Sequence, residues 1–201
     1  PIGVFAIDDT GCPKPHAKNT EGAQYQYCGS LGRDENCNVA VASCFVSNAK
    51  HFPIEFKSYI PEDQSGPNQF KSKLDLAKEL IDSAVEKAIP FFAIVFDAWY
   101  TSTDIIEFIA SKNLFFVAET KINRSILITH PKTRQWVHLR ADQIIPLIKQ
   151  HYIHRLKHVE IPQQNSKIKN VLTFAMQSRL KDCSTPLQIF FIFDKWSDSD
   201  D

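Results

Sequence analysis

The sequence predicts an α/β fold: a mixed sheet made of a three-strand meander and then helix-linked parallel strands, followed by a β-rich C-terminal insertion. Three observations carry this. Short apolar runs rich in β-formers occur at 3–8, 24–28, 38–46, 91–96 and 114–120. Apolar residues recur at helical spacing on either side of the run FFAIVF at 91–96. Beyond residue 121 the chain turns into strand-like segments with polar breaks. The domain reading is therefore 1–121 for the first unit and 122–201 for the insertion.

The elements follow in order. The run GVFAID ends on two adjacent carboxylates, Asp8 and Asp9, and a loop over 10–23 is predicted from Gly11, Pro13, Pro15, Asn19 and Gly22. The stretch GSLGRDEN joins the second and third strands as a hairpin connection. Pro53, Pro61 and Pro67 predict an irregular path over 51–69. Leu74, Ala77, Leu80, Ile81, Ala84 and Val85 define a helix over 72–87, ended by Pro90. FFAIVF is of strand length and stops at Asp97. Thr101 and Asp104 stand at capping-box spacing before a helix carrying Ile105, Ile106, Phe108 and Ile109. LFFVAET at 114–120 is the next strand. SILITH, WVHLR, HVEIP, KNVLTFAMQSRL and LQIFFIF are strands of the insertion, and 141–150 is a short helix.

Composition narrows the function. Hydrophobic residues make up 43%, enough for a core. The 23 basic and 23 acidic residues cancel, so any polyanion contact has to be a local patch. The five cysteines form no CxxC pair, which fits reduced thiols and speaks against zinc. His151, His154 and His158 have helical spacing, but Pro146 and Pro162 disfavour a metal-binding helix there. No apolar run is long enough to span a membrane, and the opening PIGVFAIDD lacks a signal peptide's charged start. The missing initiator Met and the acidic end KWSDSDD lead to the expectation of a fragment of a longer chain.

Chemistry concentrates at Asp8 and Asp97, each ending an apolar strand. Carboxylates are costly to bury, and in sheets of this kind ligands gather at the carboxyl ends of strands. If the first strand lies beside FFAIVF, the two acids converge and suit Mg²⁺ or Mn²⁺ in an open, hydrated shell. Such a site can hold two ions ~3.5–4 Å apart and run an in-line displacement at phosphorus. A plain turn at Asp8-Asp9-Thr10-Gly11 and a helix cap at Asp97 remain alternatives.

The stretches IDDTGCPK, QYCGSLGRDENCNVAVAS, HFPIEFKSYIPED, FKSKLDLAKELI and VFDAWY occur in this order over residues 3–120. Together they resemble the catalytic core of DDE-type transposases of bacterial insertion sequences, the DDE superfamily endonucleases. That resemblance implies an RNase H-like, integrase-type mixed sheet. It implies metal-dependent hydrolysis and then transesterification of double-stranded DNA at transposon ends, with water and then a 3′-hydroxyl as nucleophiles. It further implies a homodimer in the full-length protein and a bacterial cytoplasmic location, on the nucleoid when bound to DNA.

By the resemblance, Ile7-Asp8-Asp9-Thr10 assigns the first catalytic and metal-binding acid to Asp8, with Asp9 as a lower-ranked substitute. The apolar-Asp-Ala-x-Tyr pattern assigns the second to Asp97. The family's third acid, a Glu announced by an Arg-Trp-x-Ile-Glu-like stretch, has no counterpart here; Glu160 and Glu119 are the nearest lookalikes and read as surface groups. The chain thus reads as a partial catalytic core, the alternative being an inactive transposase-derived remnant that binds DNA or a partner. Lys14-Pro15-His16-Ala17-Lys18 replaces a Gly-rich stretch, and Trp99 and Thr101 replace small residues of the family pattern. Lys14, Lys18 and Arg33 are candidates for DNA phosphates, and Trp99 and Tyr100 for stacking on an unpaired base, with core packing an equal alternative for Tyr100. Lys71 and Lys73 read as a solvated face.

Overall fold

The computed structural model describes residues 3–48, 50–163 and 167–194; the acidic end KWSDSDD therefore lies outside the described residues. The chain divides at Thr120/Lys121 into two compact units.

The first unit is built on a six-stranded mixed sheet. Strand β1 (Gly3–Pro13) pairs antiparallel with β3 (Arg33–Ser47) and parallel with β5 (Phe91–Phe96), which pairs parallel with β6 (Phe116–Ala118). The far side of β3 is shared in tandem by β2 (Gln24–Cys28) and β4 (Lys50–Tyr59). This double use explains why β3 is 15 residues long. Its burial alternates strictly from Cys37 to Ser47, as one covered face demands.

Two predicted loops are strand instead. β1 continues past Asp8 to Pro13, because β3 supplies partners as far as the Pro13–Cys37 pair after β5 has stopped. β4 forms across Pro53 because it is an edge strand, and Pro53 sits where the register shifts between Ser43 and Cys44. A proline is tolerated at such a place, since it withholds only an N–H that no ladder needs.

Helix α1 (Lys73–Glu86) starts at Ser72, whose Oγ accepts from the Asp75 N–H while Asp75 accepts from the Ser72 N–H, a reciprocal capping box. Leu76, Ala77, Leu80, Ile81 and Ala84 form its buried stripe. Helix α2 (Thr103–Ser111) is capped by Ser102, which accepts from the Ile105 N–H at 3.3 Å. The cap is thus one residue later than the sequence predicts. Thr101 is occupied elsewhere: its hydroxyl lies 3.1 Å from the Asp97 carbonyl and 2.6 Å from that of Glu119. The core joins these stripes to Phe5 and Ile7 of β1, Val41 of β3, and Ile94 and Phe96 of β5.

Glu55 on β4 ties the sheet edge to α1, accepting from Ser83 Oγ at 2.6 Å and Lys87 Nζ at 2.5 Å. Lys87 and then Ser83 hold its carboxyl at about 2, below the ordinary 4.5. A depressed carboxylate adds stability that is complete above its unfolded value and lost as the pH falls through the folded one. Lys87 is half exposed, so solvent screening limits the tie to about 1 kcal/mol. Urea unfolding should show wild type above Glu55→Gln at pH 7, with the gap narrowing as the pH drops from 4.5 towards 2. An equal gap at both ends would contradict this account.

The second unit holds a hairpin of β7 (Ser125–Thr129) and β8 (Trp136–Arg140), helix α3 (Ala141–His151), and an antiparallel sheet in the order β11 (Leu187–Phe193), β10 (Ile168–Ser178), β9 (Lys157–Pro162). Ile126 and Ile128 alternate inward along β7, whereas the buried residues of β10, Val171 and Phe174, are three positions apart and do not follow the two-residue period. Pro146 lies inside α3, five residues past its start, so the helix forgoes one backbone bond there. Among the described residues no helix is long and apolar enough to cross a membrane.

Candidate functional site

Strand pairing places the acids. The β1–β5 ladder matches Val4 with Ala93, Phe5 with Ile94 and Ala6 with Val95. Continued in step, it sets Ile7 beside Phe96 and Asp8 beside Asp97. In a parallel ladder, paired positions face the same way and neighbouring strands lie ~4.8 Å apart. Phe5, Ile7, Ile94 and Phe96 all enter the helix-covered core. Asp8 and Asp97 have the other parity, so they stand side by side on the opposite face, where both are exposed. The pair sits where β1 outruns β5, at the carboxyl end of the parallel strands.

Asp9 has the core-side parity and meets α1. Its Oδ2 lies 2.6 Å from Lys73 Nζ, and both side chains are largely covered. Lys73 also lies 5.3 Å from the Trp99 ring centre and 5.7 Å from that of Tyr59. Lys73 is therefore a pinned cation, whereas the sequence reads it as solvated; 64 residues separate it from Asp9, beyond any local pattern. Lys71 is likewise engaged, 2.5 Å from Glu79.

Asp8 accepts from the Asp9 N–H at 2.8 Å. Partial desolvation, and after it the negative charges of Asp9 and Asp97, raise its carboxyl above the ordinary 3.8, partly offset by the Asp9 N–H and by Lys73. The charge of Asp97 acts on Asp8, as their register requires. Asp97 Oδ1 accepts from the N–H groups of Trp99 at 2.9 Å and Tyr100 at 3.3 Å. The cap-like role left open by the sequence is real, yet it uses one oxygen only. Among the described residues nothing bonds Oδ2.

The β5–β6 ladder pairs Phe96 with Ala118, and one step further Asp97 falls beside Glu119. Asp8 within β1, Asp97 just past β5 and Glu119 just past β6 so stand in a row at matched positions, with Glu119 about two strand spacings, ~9.6 Å, from Asp8. Among the described residues no group of three or more His, Cys, Asp or Glu side chains gathers closely enough to hold a metal ion.

The remaining candidates separate. Tyr100 is fully buried and packs in the core, so its ring cannot stack on a base. Of the two readings the sequence leaves open for Tyr100, core packing is the one its burial fits. Trp99 is about half exposed and meets the Tyr100 ring edge-on at 4.9 Å. Lys14 and Lys18 are exposed in the loop after β1, which Asn36 organises by donating to the Lys14 and Ala17 carbonyls, each at 3.0 Å. Arg33 is exposed and lies 3.2 Å from Glu35.

Two carboxylates at matched positions of adjacent parallel strands, Asp8 within β1 and Asp97 just past β5, stand on a face free of core packing in a mixed α/β unit. The chain belongs to the DDE superfamily endonucleases, whose family model matches residues 1–142, more than two thirds of its 201 residues. It is also similar to a probable transposase for insertion sequence element IS701 from Microchaete diplosiphon, with 28% identity over 129 residues. That match covers 62% of this chain and 33% of the relative, so the chain spans about a third of the relative's length.

Proposed function

We propose that this chain is the catalytic-core portion of an insertion-sequence transposase, acting on double-stranded DNA at transposon ends with Asp8 and Asp97 as paired ligands of Mg²⁺ or Mn²⁺. The observation that carries the reading is the parallel register setting Asp8 beside Asp97. Strand order supports an RNase H-like arrangement: β4 and β2 flank β3, then come β1, β5 and β6. The donor set fits the cation. Mg²⁺ takes one or two carboxylates and keeps several waters, and here two hard oxygen ligands face open solvent. When bound, the ion supplies Lewis-acid polarisation of the scissile phosphodiester and a more nucleophilic oxygen.

The chain's own residues hold and aim this centre. Asp97 uses Oδ1 to fix the turn leading to α2 and keeps Oδ2 for the cation. Asp8 is oriented by the Asp9 N–H, and Asp9 is turned away by Lys73, which favours Asp8 over Asp9 as the ligand. Lys14 lies six residues along β1 from Asp8, ~20 Å at strand rise, so it and Lys18 serve flanking phosphates rather than the reacting one. Arg33 shares that end of the sheet, partly neutralised by Glu35. Trp99 remains as the exposed aromatic beside the acids. In the full-length protein the working unit is a homodimer on paired ends.

The test is incubation of a protein containing this chain with end-bearing duplex DNA and Mn²⁺. Cleavage by wild type and its loss in Asp8→Asn support the reading. DNA retardation without cleavage would instead favour an inactive, DNA-binding remnant.

A further inference from the structure

The two units differ in charge although the chain as a whole is neutral. Residues 1–120 carry 10 Lys and Arg against 16 Asp and Glu, whereas residues 121–201 carry 13 against 7, three of those seven within the last four positions. Such an asymmetry marks the basic half as the one that meets a polyanion. Within the second unit the excess has a definite seat on the β7–β8 hairpin.

That hairpin pairs Thr129 with Trp136, Leu127 with His138 and Ser125 with Arg140. On its other edge β7 meets the chain just past β10. Ile126 bridges Leu180, the Leu127 N–H donates to the Arg179 carbonyl at 3.0 Å, and the Lys181 N–H donates to the Ser125 carbonyl at 2.9 Å. Ile126, Ile128 and Leu180 are buried and face inward together. By the two-residue period the alternate positions face outward. One outer face therefore carries Arg179 and Lys181 along one side and Trp136, His138 and Arg140 along the other, with the shorter side chains of β7 between them. The result is a trough about two strand spacings, ~9.6 Å, across. A cleft of about 670 Å³ opens here, lined by Trp136, His138 and Arg179 of this face and by Pro186 from the turn before β11. Trp136 is 70% exposed. Among the described residues, the side chains of Trp136, His138, Arg179 and Lys181 have no hydrogen-bond, ion-pair or ring partner, while Arg140 is held by Asp142.

We propose that this trough binds single-stranded DNA, with phosphates on Arg179 and Lys181 and one unpaired base stacked on Trp136. The charge selects a polyanion, and the aromatic selects an unpaired strand. A duplex would offer its phosphates to the trough but keep its base faces hidden in its own stack. Stacking on an indole tolerates any sequence, because every base has a π-face. The guanidinium of Arg179 suits a phosphate by its planar fork of donors. That the strand is DNA rests on the transposase reading above.

The test is fluorescence anisotropy of a labelled thymidine oligonucleotide with this chain, beside a duplex of the same length, in EDTA so that no divalent cation takes part. Wild type is expected to prefer the single strand. Trp136→Ala is expected to weaken single-strand binding about tenfold and to leave duplex binding unchanged, and Trp136→Phe to keep most of the single-strand affinity. Arg179→Ala combined with Lys181→Ala is expected to reduce the slope of log affinity against log salt by about 1.4, or ~0.7 for each phosphate given up. The three side chains are exposed, so these variants should melt with wild type. Unchanged single-strand affinity in Trp136→Ala overturns the inference, and so does tighter binding of the duplex than of the single strand. Asp97→Asn is expected to bind the oligonucleotide as wild type does, which keeps the trough apart from the acidic pair. If end-bearing duplex is cleaved and the single strand is not bound, this inference alone fails. If the single strand is bound through Trp136 and nothing is cleaved, the trough stands and the metal reading fails.

Discussion

Asp97→Asn is expected to lower Mn²⁺-dependent strand cleavage by about 100-fold or more, close to 2.7 kcal/mol of transition-state stabilisation. The substitution is informative because it leaves the turn intact. The Asp97 Oδ1 accepts from the Trp99 and Tyr100 N–H groups, and an asparagine carbonyl oxygen can accept both in the same place. What disappears is the negative charge and the anionic second oxygen. The unfolding midpoint should therefore stay within experimental error of wild type while activity collapses. Asp97→Ala would blur the result, since losing the turn's acceptor costs about a further 1 kcal/mol of stability. Steady-state cleavage of labelled duplex, beside urea unfolding, reads both quantities. Activity within a few-fold of wild type would remove Asp97 from the reaction.

The second large effect concerns the scaffold. Leu80 sits mid-stripe on α1, 1% exposed, in the cluster that includes Phe5, Ile7, Ile94 and Phe96. These residues set the mutual register of β1 and β5, on which the placing of Asp8 beside Asp97 depends. Leu80→Ala removes buried methyl groups and leaves a cavity, at about 2–5 kcal/mol. For a domain of ordinary stability that is a large share of the total. Urea unfolding should show a lower midpoint at nearly unchanged slope. A loss under about 1 kcal/mol would mean that α1 is not packed on the sheet as described.

How much of this was visible beforehand follows from what each feature depends on. FFAIVF and the stripe of α1 were legible because they are local: an unbroken apolar run and a helical period need no partner to be recognised. Asp97 was legible as a strand-end acid for the same reason, and Asp8 as an acid closing an apolar run although its strand continues to Pro13; the five ordered stretches named their family. β4 was not, because Pro53 argues locally against a strand and only pairing with β3 at a shifted register accommodates it. The continuation of β1 to Pro13 was hidden likewise, since the Gly and Pro signals there are overridden by long-range pairing. Lys73 was missed because its partner lies on another element. Tyr100 stayed open between stacking and core packing, because sequence cannot tell an exposed aromatic beside an acid from a buried one.

The pairing of Asp8 with Asp97 around one divalent cation is tested most directly by the Mn²⁺ dissociation constant of this chain, measured for wild type, Asp8→Asn, Asp9→Asn and Asp97→Asn under one buffer. The geometry predicts that Asp8→Asn and Asp97→Asn each weaken binding tenfold or more, and that Asp9→Asn, whose side chain is turned to Lys73, does not. Loss of affinity at Asp9 with none at Asp8, or no loss at either Asp8 or Asp97, would contradict it.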